Sequence, residues 1–73
     1  MAVFTDHESN ASHDGHAYAV VVRHWHGGGY TLDKVHVVGV GNRKDSDHSY
    51  ETLEEARIAG DLLARQVIDA EFG

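Results

Sequence analysis

The chain has no cysteine and no proline, six lysines and arginines against twelve aspartates and glutamates, and no long apolar run. Each shortage excludes something. Without cysteine there is no disulfide framework and no thiolate for zinc or redox chemistry. The net charge of −6, counted with neutral histidines, opposes nucleic-acid backbones, because non-specific affinity for them comes from Lys and Arg releasing counterions. No segment approaches the ~18 apolar residues of a membrane span, and Met1-Ala2-Val3-Phe4-Thr5-Asp6 lacks the basic start and apolar centre of a signal peptide. The expectation is a soluble, cytoplasmic, bacterial protein with neither nucleic-acid nor membrane partner. Its 73 residues suit a single domain spanning 1–73, near the lower size limit for a core without staples and too small for a deep substrate cavity.

What is present is mostly architecture. Residues 6–15, Asp-His-Glu-Ser-Asn-Ala-Ser-His-Asp-Gly, are small, polar and turn-prone and read as loop or disordered chain, with Val3 and Phe4 before them as a short edge strand. β-branched and aromatic residues then dominate 17–26 and 30–40, two strands joined through Gly27-Gly28-Gly29. A three-residue loop at 27–29 sets Arg23 opposite Asp33 and Val21 opposite Val35, whereas a two-residue loop sets Arg23 opposite Lys34. Facing opposite charges favour the first register. It gives the helix-facing side Ala17, Ala19, Val21, Val35 and Val37. Residues 43–47 read as a charged loop and 48–51 as a short third strand.

Thr52 with Glu55 three residues on forms a capping box, so a helix is predicted over 53–70. At 100° per residue Leu53, Ala56, Ala59, Gly60, Leu63, Val67 and Ala70 share one face. Ile58, Leu62 and Ile68 fall outside it. Gly60 on the stripe costs about 1 kcal/mol relative to alanine, a cost that close approach of helix to sheet explains. The fold class expected is α+β, a small antiparallel hairpin or three-stranded sheet packed by one C-terminal helix, β-β-(β)-α.

Chemistry is sparser. Of seven histidines, His24 and His26 are the candidate metal pair, because residues two apart on a strand point the same way at ~7 Å. The hairpin offers no third imidazole, so one would have to come from His7, His13 or His16. His13-Asp14-Gly15-His16 and Asp45-Ser46-Asp47-His48 juxtapose acid, hydroxyl and imidazole but lack the rigid scaffold of a catalytic triad. Gly27-Gly28-Gly29 joins strand to strand, unlike a phosphate loop, which opens a helix. Trp25 and Tyr30 flank that turn and are candidate contact residues. Ile58 and Leu62, one turn apart on a charged helix face, suggest a second packing surface for the amino-terminal strand or for another subunit.

The junction Ser49-Tyr50-Glu51-Thr52-Leu53-Glu54-Glu55-Ala56, with Gly60 beyond, resembles the strand-to-helix entry of small bacterial β-β-(β)-α proteins, including HicB-type antitoxin domains. That resemblance implies a toxin–antitoxin or regulatory component and transfers no functional residues. The residues themselves point to a non-catalytic interaction or accessory protein, without cofactor, that binds a protein partner or itself, a homodimer being favoured. A histidine-based divalent-metal binding protein is the alternative. As imidazoles gain protons between about pH 7 and 5, the negative charge shrinks and self-association should rise.

Overall fold

The computed structural model describes residues 3–73, apart from the side chains of 45–47. Four strands precede one helix: β1 (Phe4–His13), β2 (His16–Trp25), β3 (Tyr30–Val37), β4 (Gly41–Tyr50) and α1 (Leu53–Phe72). The strands form one antiparallel sheet in the order β1-β2-β3-β4, with α1 across one face. The α+β class and the single C-terminal helix are as the sequence predicts, but the sheet has four strands rather than two or three.

The additional strand is β1. Residues 6–15 are not loop: Phe4 to His13 pair continuously with Trp25 to His16. Polar composition hid this, because an edge strand needs a backbone ladder more than an apolar side chain. The turn is Asp14-Gly15, with φ of 52° and 80°, the paired positive values that let a two-residue hairpin follow strand twist. Residues 43–47, expected as a loop, lie within β4. The strand expected over 30–40 ends at Val37, and Gly39 follows at φ 86°.

The β2–β3 connection also differs. Trp25 N–H donates to Gly29 O at 3.1 Å and Gly28 N–H to Trp25 O at 2.9 Å, so the loop is His26-Gly27-Gly28, one residue earlier than expected. His24 therefore faces Tyr30, Arg23 faces Thr31 and Val22 faces Leu32; beyond a bulge, Val21 faces Lys34 and Val20 faces Val35. The extra residue is Asp33. A one-residue slip exchanges the two faces of a strand, and the helix consequently covers Tyr18, Val20 and Val22 rather than Ala17, Ala19 and Val21. The bulge also lets Leu32 and Val35, an odd number of residues apart, both point inward beside Val37.

Thr52 caps α1 as predicted, its Oγ1 accepting from Glu55 N–H at 3.1 Å. The reciprocal bond reaches one residue further back, from Glu51 N–H to Glu55 Oε2 at 3.4 Å. Ala56, Gly60, Ala64, Val67 and Ile68 are buried against the sheet. Ile68 is thus a core residue, 1% exposed, and Ala70 is not. Gly60 lets helix and sheet approach closely: a β-carbon there would overlap Val20 Cγ1 and lie 3.0 Å from Leu32 Cδ1.

Candidate functional site

Three surface regions carry the residues singled out by sequence. At the hairpin tip, Trp25 and Tyr30 do not form a pair, because they project from opposite sheet faces. Trp25 packs against Phe4 with ring centroids 5.3 Å apart and donates Nε1–H to Thr31 Oγ1 at 3.0 Å. The Arg23 guanidinium lies 3.8 Å above the Phe4 ring. Arg23 also donates to Asp6 at 2.9 Å and approaches Asp33 at 3.5 Å. The hydrogen bond to Arg23 holds the Asp6 carboxyl below its usual range, and Asp6 in turn raises Arg23. The expected Arg23–Asp33 pairing thus exists through the bulge, with Asp6 of β1 as its unforeseen third member.

On the helix-covered face, His24 stacks on Tyr30 at 4.2 Å and His26 tilts towards His24 at 5.9 Å between centroids. Nε2 of His26 bonds Thr5 Oγ1 at 3.2 Å. The two imidazoles are neighbours, but among the described residues no third metal-ligating side chain joins them. His7 lies further along β1, beside a cavity of about 210 Å³ lined also by Ser9, Val22, Leu53 and Arg57. His13 and His16 lie at the other end of the sheet.

That other end holds a cluster that joins His13 and Asp14 to the distant Asp69. His13 Nε2 lies 3.1 Å from Asp69 Oδ1 and 3.5 Å from Asp14 Oδ2, which brings together the end of β1, the hairpin turn and the last turns of α1. His16 stacks on Phe72 at 3.9 Å, and a cavity of about 130 Å³ between Asp14, His16, Ile68 and Asp69 adjoins the cluster. The one signal that could have found it is the Asp14-Gly15 dipeptide, read as a hairpin turn rather than as loop.

The third region is the outward face of α1. Ile58 and Leu62 are 48% and 53% exposed. The amino-terminal strand does not cover them, since Phe4 is engaged with Trp25 and Arg23 on the far side of the sheet. Around them the charges are organised: Arg57 bonds Glu54 and, at 3.1 Å, Asp61, and its hydrogen bond holds the Glu54 carboxyl below the usual value. Asp61 also accepts from the Tyr18 hydroxyl at 3.1 Å. Burial, and then that bond, push the Tyr18 hydroxyl above its usual value. Arg57 and Asp61 form an i,i+4 pair along the helix, while Asp69 is engaged by His13. Glu55 and Arg65 are exposed on the same side as the apolar pair.

No polar or charged residue is buried among the described residues, and no described helix is long and apolar enough to cross a membrane. No protein-family model matches the chain, and no curated protein or solved structure matches it significantly.

Proposed function

We propose that this chain is a small non-catalytic interaction module, acting in the cytoplasm, whose working surface is the outward face of α1 and whose occupant there is a second copy of the chain. The observation that carries the reading is the exposure of Ile58 and Leu62, two large apolar side chains one turn apart on a helix whose Leu53, Leu63, Val67 and Ile68 pack on the core, with Phe72 exposed only at its last residue. The charge pattern selects the occupant. In an antiparallel two-fold pairing centred at the level of residue 60, Ile58 of each copy meets Leu62 of the other, and Glu55 meets Arg65 twice by symmetry. Apolar anchors ringed by complementary charge form a self-complementary patch. Two anchors per copy make a small interface of the weak or transient kind, so association belongs at high protein concentration.

Sedimentation read beside the thermal midpoint tests this. Wild-type chain should self-associate towards millimolar concentration, and Ile58→Lys with Leu62→Lys should abolish association while leaving the midpoint nearly unchanged, because the substituted side chains already face water. Arg65→Glu should weaken association, and adding Glu55→Arg should restore it. A wild type that remains monomeric throughout, or a lysine variant that associates equally well, overturns the proposal.

A further inference from the structure

We propose that His13, Asp14 and Asp69 form a binding site for a divalent transition ion of the zinc class, clasping the β1–β2 hairpin to the end of α1. The argument begins with distance. Two ligand atoms each ~2.1 Å from a tetrahedral ion lie about 3.4 Å apart. His13 Nε2 is 3.1 Å from Asp69 Oδ1 and 3.5 Å from Asp14 Oδ2, and all three ligand atoms fall within 4.8 Å of one another. Small side-chain rotations close the remaining gap. One imidazole nitrogen and two carboxylate oxygens leave a fourth position open to water, beside the cavity that His16 and Phe72 help to wall.

Electrostatics supply the second argument. Unpaired carbonyls make a helix C-terminus partly negative, so cations are favoured there. The last turn of α1 holds no basic residue, and instead Asp69 lies near it and the hairpin brings Asp14 alongside. Asn-Gly would make the same turn without a charge. Two carboxylates gathered at the negative end of a helix repel each other, and a doubly charged ion neutralises both. The imidazole binds through Nε2, the nitrogen facing both carboxylates, with the remaining proton on Nδ1. Ion and proton compete for that nitrogen, so affinity falls in acid. The ligands are 56 residues apart in the chain, and binding therefore requires the folded state and stabilises it.

Zinc chloride titrated into the full chain, followed by calorimetry, thermal midpoint and histidine ring NMR, tests the proposal. One equivalent should bind, raise the midpoint and shift the His13 ring while leaving the His24 and His26 rings in place. Asp69→Asn should weaken binding about tenfold or more, the scale on which even indirect partners of a metal act. Asp14→Asn should do the same without unfolding the protein, since asparagine tolerates positive φ. Replacing His24 and His26 together by glutamine should leave affinity unchanged. Absence of binding at millimolar zinc overturns the site, as does binding lost on replacing His24 and His26 but retained in Asp14→Asn and Asp69→Asn.

Discussion

Adding one methyl group at residue 60 sets two opposing effects against each other, and the structure decides which wins. Alanine is favoured over glycine in a helix interior by about 1 kcal/mol, so Gly60→Ala at an open site would stabilise. Here the new β-carbon would overlap Val20 Cγ1, with Val20 Cγ2 at 3.2 Å and Leu32 Cδ1 at 3.0 Å. Val20 is branched at Cβ and fully buried in the core, so turning Cγ1 away from the helix drives a methyl into close-packed neighbours instead. Overpacking of this kind costs roughly 1–3 kcal/mol, leaving a net loss of about 1 kcal/mol once helix propensity is subtracted. In a domain of this size that lowers the thermal midpoint by about 4–8 °C. Gly60→Leu should lose more. The diagnostic comparison is with Val20→Ala, which creates a cavity and is itself destabilising, but in whose background Gly60→Ala should become neutral or stabilising. Four chemical denaturation curves give the cycle and its coupling energy. Stabilisation by Gly60→Ala in the wild-type background would refute the close approach of helix and sheet.

Two further predictions concern pH. The raised ionisation of Tyr18 means that its contribution to stability is intact below 10.0, the usual value, and is lost as pH rises through the higher folded value; denaturation midpoints of wild type and Tyr18→Phe should differ at neutral pH, by about 1 kcal/mol for a hydrogen bond of this kind, and converge in strong alkali. The lowered ionisation of Asp6 has the opposite sign: its pairing with Arg23 contributes above 3.8 and fades as pH falls through the lower folded value. Asp6→Asn should therefore lower the thermal midpoint slightly at pH 7 and have a diminishing effect in acid.

The helix was the most legible element, because Thr52, Glu55 and the period of Ala56, Gly60 and Val67 state its start and its inner face locally. Even there the burial of Ile68 is not legible: Ala64 and Ile68 turn the buried stripe towards one side, which only the sheet beneath it reveals. The strands were legible as composition but not as register. One extra residue at Asp33 reverses which side of β2 is buried, and no charge rule applied to an unbulged hairpin anticipates it. The larger apolar set Tyr18, Val20 and Val22 carried that information, since burying it removes more apolar surface than Ala17, Ala19 and Val21. β1 is not legible in the sequence because its residues contribute little to the core. With it went the grouping of His13 and Asp14 with Asp69, which exists only once the strand and its turn are formed. Ile58 and Leu62 needed no tertiary knowledge, as helical phase alone sets them apart.

The central claim is that α1 meets a second copy of itself, and isotope-filtered NMR on an equal mixture of labelled and unlabelled chain tests it most directly. At high protein concentration, cross-chain nuclear Overhauser contacts should connect Ile58 methyls of one copy with Leu62 methyls of the other. Cross-chain contacts running along β1 instead, or none at any concentration, would contradict the account.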